Sequence, residues 1–366
     1  MIRRVLAALI TLLLAGVLLV AAWPQLFGLE QAPAIAQVVS LRGFAVAIAV
    51  FAVVVLLIIA IASSSARSFT GTVSLLLVIF IAVSLAVLGT RGFGGGGFQQ
   101  AGSDSLRVLA WNTLGDEPGA QVIADLALES EADVVSLPET TGAMGVEIAE
   151  IMGAAGRPMW ALTTAYDDIS KARSTTVLIS ADLGEYTIDN SRGNTEVLPT
   201  VIAVPVNGVG PTIVAVHPVA PVPGEMANWQ SDLTWLAGIC GGENTILAGD
   251  FNSTLDHFGR FAATSDTVFG ECHDAAADTG NAAVGTWPTA APALLGAPID
   301  HVMYTDNWTA TGMRVITDHY PRSAESAPAA DRPVAMSSAP SDARPVIVAP
   351  LVAGSETDRR DMPAGV

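Results

Sequence analysis

The chain has 366 residues, 51% of them hydrophobic and 14% charged, with a formal net charge of −18. That is too apolar for an ordinary soluble domain. So acidic a balance argues against a general nucleic-acid binder, whose groove needs a basic field.

The apolar excess is concentrated at the N-terminus. Residues 5–23, 43–62 and 70–89 are uncharged apolar runs, each close to the ~20 residues a helix needs to cross ~30 Å of hydrocarbon. The first, with Arg3 and Arg4 before it, has the outline of a signal peptide. Its long apolar core and the two further spans argue for a retained anchor. Arg3, Arg4 and Arg67 fall on one side of the spans, Arg42 and Arg91 on the other. The N-terminal pair favours an inside N-terminus, so the remainder is expected outside the cytoplasm, on a multi-pass cell-membrane protein. Residues 92–104, GFGGGGFQQAGSD, have the composition of a flexible tether.

From Asp104 onward there are 34 acidic and 12 basic side chains, which predicts a solvated acidic surface. Strands are predicted at 106–112, 133–139, 175–180, 196–206, 211–217, 244–250, 299–304 and 344–351, and helices at 119–132, 146–156 and 224–240. This mixture predicts a layered α/β domain over residues 105–353. Segments 286–298 and 321–345 are rich in Pro and Ala and predict loops. Residues 354–366 predict a disordered tail. Cys240 and Cys272 both fall in the external part. An oxidising compartment permits one disulfide there, and two buried thiols are the alternative.

Polar residues recur where strands end: Asn112, Glu139, His217, Asp250, Asn252, Asp300 and Asp342. Singly, each has an ordinary structural explanation. Asn112 suits a turn, Glu139 a helix cap, His217 a packed strand end, and Gly249 to Asn252 a tight turn. Their order and types together are more specific. LRVLAWN, DVVSLPE, VAVHPVAP, ILAGDFNS, IDHVMY and SDARPV resemble the motifs of the endonuclease/exonuclease/phosphatase superfamily, across roughly residues 105–352. The anchor resembles that of membrane-bound actinobacterial members and lies outside the shared domain.

The resemblance implies a four-layer α/β sandwich, DNase-like, preceded by the three transmembrane helices. It implies phosphoester hydrolysis with Mg²⁺ or Mn²⁺, hard ions that suit carboxylate and amide oxygens. By the same resemblance Glu139 and Asp342 ligate or flank the metal, and Asn112 holds metal or phosphate. Asp250 activates water, Asn252 and His217 contact the phosphate, and Asp300 orients a final histidine. Asp250 and Asn252, two apart, are expected to face the same way along a strand.

The chain departs from this pattern at Ala343, where the family carries that histidine, and at Pro138, where it often carries Gln. His301 directly follows Asp300 and is expected to point to the opposite face. His319, in TDHYP, resembles a displaced copy of the final motif, but the strand belonging to that motif follows Asp342 instead. Either His319 fills the site, or the metal and Asp250 sustain a weak reaction, or the protein binds ligand without turnover. The overall expectation is a membrane-anchored, extracytoplasmic phosphoester hydrolase acting on a lipid or cell-envelope headgroup. An extracellular nuclease and a disabled ligand-binding homologue are the alternatives.

Overall fold

A computed structural model describes residues 2–94, 105–241, 244–316, 344 and 346–353. Its first part is helical: α1 (Ile2–Ala22), a short α2 (Ile35–Ser40), α3 (Arg42–Ala62) and α4 (Arg67–Arg91). Helices α1, α3 and α4 are long and apolar enough to cross a membrane. Outward residues such as Leu13, 71% exposed, and Phe51, 70% exposed, would be costly in water. Helix α2 carries no strong sequence signal and was not expected.

The remainder forms two six-stranded sheets. The first contains β1 (Ser105–Ala110), β2 (Val134–Pro138), β3 (Met159–Ala165), β4 (Ser174–Ser180), β11 (Trp308–Val315) and β12 (Val346–Ala353), in the order β11-β12-β1-β2-β4-β3. The second contains β5 (Tyr186–Ile188), β6 (Val201–Pro205), β7 (Thr212–Val216), β8 (Thr245–Asp250), β9 (His273–Asp274) and β10 (Asp300–Tyr304), in the order β5-β6-β7-β8-β10-β9. The sheets pack face to face through Val108, Val134, Val177, Ile213, Ile246 and Val302. The Ser136 hydroxyl also bridges them, donating to the Ala248 carbonyl at 2.7 Å. Helices α5 (Ala120–Glu129) and α6 (Gly142–Ala154) cover the outside of the first sheet through Ile123, Ile148 and Met152. Helix α7 (Met226–Ile239) covers the second through Trp229, Leu233 and Leu236. The layer order is therefore helix, sheet, sheet, helix, as expected of a DNase-like sandwich.

Several strands end earlier than their sequence patterns predict. The stretch 196–206 pairs only over Val201–Pro205, because Asn194, Thr195 and Thr200 bind one another in a turn instead. Strands β3, β5, β9 and β11 were not anticipated, β5 and β9 being only three and two residues long. Cys240 and Cys272 form a disulfide, their Cα atoms 5.8 Å apart.

The helical segment is packed against the sandwich rather than held apart from it. Gly94 N–H donates to Gly280 O, Ala282 N–H to Arg91 O and Ala283 N–H to Gly92 O. Gly92 and Gly94, at the start of the Gly-rich stretch, are thus bonded to the domain; residues 95–104 lie outside the described residues. Helix α8 (Leu255–Phe258) provides the main junction. Its Asp256 pairs with Arg42 at 2.7 Å and Arg91 at 2.9 Å, and its His257 Nε2 donates to Ala36 O at 3.1 Å.

Candidate active site

The site lies on the rim where β1, β2, β7 and β8 end. Strand β8 can approach β7 closely because residue 249 is glycine. A Cβ there would stand 2.3 Å from Val216 O, and its φ of +141° is disfavoured for other residues. Beyond the strands the backbone turns sharply. Glu139 (φ +60°) and Asn252 (φ +45°) both adopt left-handed conformations. Such strain in non-glycine residues clusters at functional sites, where surrounding contacts hold it. Here the contacts are visible: Trp229 Nε1 donates to Asn252 O (3.2 Å) and Ser253 Oγ (3.0 Å). Thr113 Oγ1 donates to Glu139 O at 3.0 Å.

These turns bring Asn112, Glu139, His217, Asp250 and Asn252 onto one cavity of about 430 Å³. Asn112 Nδ2 donates to Glu139 Oε1 and Asp250 Oδ2, each at 3.1 Å. His217 Nε2 lies 3.8 Å from Glu139 Oε1. Asn252 donates its backbone N–H to Asp250 Oδ1 at 2.7 Å and its Nδ2 to Pro218 O at 3.0 Å. Asp250 and Asn252 do meet in one cavity, but not by strand alternation. Strand β8 stops at Asp250, and it is the left-handed turn that brings Asn252 round.

Asp300 is paired in register with Asp250 across β8 and β10. Both are buried, and burial raises both carboxyls; the Asp250 charge raises Asp300 further. Neither Asp300 oxygen has a hydrogen-bond partner of normal geometry, although the nearby Thr286 hydroxyl acts to lower its carboxyl against that rise. His217 is held neutral, its value lowered to about 3 by burial, and its Nδ1 has no partner. His301 does point away. Its Nδ1 lies 2.7 Å from Asp274 and its Nε2 donates to Ser253 O at 2.9 Å.

Asp342, Ala343 and His319 lie outside the described residues, but Arg344 does not. Its N–H donates to Thr286 O at 2.8 Å. Thr286 Oγ1 in turn accepts from Asp300 N–H at 3.2 Å. Strand β12 then begins with Val346 opposite Ala110, two residues before Asn112. Arg344 therefore stands next to Thr286, the residue whose hydroxyl accepts from Asp300.

Among the described residues no group of three or more His, Cys, Asp or Glu side chains is arranged to hold a metal ion. What is present is a pair of carboxylates, half-buried Glu139 and buried Asp250, joined by one amide, in a cavity with no Lys or Arg among its described lining residues. A hard divalent ion suits carboxylate and amide oxygens of this kind.

Three parts of the site were not found from sequence. One is Trp229, whose indole supports the Asn252 turn. Another is the Asp256 junction. The third is the wall of the cavity contributed by Gln37, Ser40 and Leu41 of the N-terminal segment. Trp229 sits in an amphipathic helical stretch and Asp256 in a helix of only four residues, where their types carry no distinguishing pattern.

The family model described as Endonuclease/Exonuclease/phosphatase family matches residues 109–342. No curated protein matches the chain. Among solved structures, an endonuclease/exonuclease/phosphatase from Beutenbergia cavernae is 18% identical, with a TM-score of 0.48, covering 69% of this chain and 72% of its own. D. rerio TDP2 complexed with a single-strand DNA product is 14% identical, TM-score 0.47, covering 67% and 98%. A Bacteroides thetaiotaomicron mannosyl-6-phosphatase is 17% identical, TM-score 0.43, covering 67% and 98%. Likeness at this level concerns the fold and not the substrate.

Proposed function

The chain belongs to the endonuclease/exonuclease/phosphatase family, and from that premise we propose that it is a phosphoester hydrolase assisted by Mg²⁺ or Mn²⁺. The observation that carries this reading is the convergence of Asn112, Glu139, His217, Asp250 and Asn252 on one cavity.

In this reading Glu139 holds the ion, with Asp342 beside it and Asn112 steering both Glu139 and Asp250. The ion, when bound, neutralises phosphate charge and polarises the phosphorus centre. Asp250 orients the attacking water and takes its proton, a role that suits a carboxyl raised by burial. Asn252 uses one amide hydrogen on Pro218 O and keeps a second for a phosphate oxygen. His217, neutral and buried, has one N–H to donate. Asp300 is the orienting partner of the family's final histidine. With Ala343 in that position, either His319 fills the gap or turnover is weak.

The protein is proposed to sit in the cell membrane with its catalytic part outside the cytoplasm. Lipid or cell-envelope headgroups are substrates within reach of such a site. A nucleic-acid backbone is at least as well supported, because the family's description puts endonucleases and exonucleases beside phosphatases. An acidic chain of net charge −18 counts against nucleic acid.

The test is turnover of an aryl phosphodiester, a phospholipid and single-stranded DNA by the full chain with Mg²⁺ or Mn²⁺. Metal-dependent cleavage of any one, abolished by Asp250→Asn, is the expected result. Metal and phosphate binding without turnover would instead identify a disabled ligand-binding homologue.

A further inference from the structure

One wall of the cavity does not come from the sandwich at all. Gln37 and Ser40 on α2, and Leu41 after it, line the same space as Glu139, Asp250 and Asn252. These three residues lie between α1 and α3, two of the helices long enough to cross a membrane. Gln37 Nε2 is bonded to Pro221 O on the sandwich side, while its Oε1 is buried with no partner. The Asp256 pairing with Arg42, the very next residue after Leu41, fixes this wall in place.

The lining divides by chemistry. The phosphoester residues are polar, whereas Leu41, Val222, Trp287 and Ile299 give the cavity an apolar side. The other face of α2, with Ile35 and Val38, borders a second, wholly apolar groove that runs along Leu12, Gly16 and Val20 of α1. A polyanionic strand passing through the site would meet no Lys or Arg among the described lining residues and would face this apolar wall. An amphiphile with one phosphate and an attached hydrocarbon group matches both halves.

Resting on the phosphohydrolase reading, we infer that the α2 segment is part of the substrate site. Leu41 is a specificity-determining residue that selects phosphoesters carrying an apolar group next to the phosphate.

The test is binding of hexyl phosphate and methyl phosphate to the full chain in amphipol with Mg²⁺, followed by Trp fluorescence and calorimetry. Hexyl phosphate is held below its micelle-forming range. It is expected to bind at least about tenfold more tightly, given the added methylenes. Leu41→Asn should cut that preference below about threefold, and Ser40→Trp should block hexyl phosphate by filling the wall. Equal affinities in the parent, or a preference that survives both substitutions, would overturn the inference. So would a thymidine dinucleotide that outcompetes hexyl phosphate and ignores Leu41→Asn. If neither phosphate binds, the phosphohydrolase reading itself falls. Binding of both without a chain-length preference leaves that reading standing and removes only this one.

Discussion

Replacing Asp256 with Ala should detach the sandwich from the helical segment. Arg42 and Arg91 both pair with this one carboxylate, at 2.7 and 2.9 Å, and their side chains are only 4% and 14% exposed. Burial alone would raise Asp256, but Arg91 and Arg42 outweigh it and hold it well below the usual carboxylate range. Asp256→Ala leaves two guanidiniums buried without their counter-charge, a loss of about 3–5 kcal/mol. Arg42 keeps its bond to Ala22 O at 3.0 Å, which places the expected cost toward the lower end. At 1.36 kcal/mol per decade this is on the order of a 10²–10³-fold rise in the open population. Hydrogen exchange of amides in residues 35–42 and 254–258 of the full chain should report it directly. The sign with pH follows from the depressed folded value: the contribution is complete above the unfolded value of about 3.9 and is lost as pH falls further. A triple Asp256→Leu, Arg42→Met, Arg91→Met chain should recover most of the protection, since well-packed apolar replacements of buried ion pairs are often neutral. Exchange in Asp256→Ala within about 1 kcal/mol of the parent, the range of exposed pairs, would refute the buried clamp.

Asp250→Asn is expected to lower kcat by about 10²–10⁴-fold while the fold survives, as measured by turnover and circular dichroism. Ala343→His should raise turnover by a similar ~10²–10⁴-fold if SDARPV is the final motif. If His319 already serves, His319→Ala silences the parent and Ala343→His adds little. Reducing the disulfide, whose cysteines are 32 residues apart, should cost about 3–4 kcal/mol in urea unfolding by the loop-length relation. His257 is buried and lowered to about 4, below an unfolded value near 6.5. Stability from keeping it neutral is present above about pH 6.5 and declines as pH falls toward 4. A flat urea midpoint between pH 7.5 and 5 would contradict this.

The layered fold could be read from the sequence because its central strands are short apolar runs bounded by turn residues. TILAGD and DHVMY signal themselves without help from tertiary contacts. The two- and three-residue strands β9 and β5 have no such signal, since their pairing depends on the neighbour already being there. The site residues were visible as motifs, but their geometry was not. Strand periodicity has no means of foretelling that Asn252 turns at φ +45°, because the Trp229 indole that supports the turn lies 23 positions earlier.

Arg42 and Arg91 show a different limit. In a topology count they weigh as two positive charges on the same side as the sandwich, diluting the signal from Arg3, Arg4 and Arg67. In the structure both are bound to Asp256 of the sandwich, so their location follows from a specific ion pair and not from the bias that orients spans. Charge bias concerns cations left near the span ends. Setting the two clamped arginines aside leaves Arg3, Arg4 and Arg67, which the proposed orientation puts on the side opposite the sandwich. The same ion pair also ties the start of α3, next to Leu41, to the sandwich beside the cavity, so in the proposed reading the substrate wall depends on one buried carboxylate.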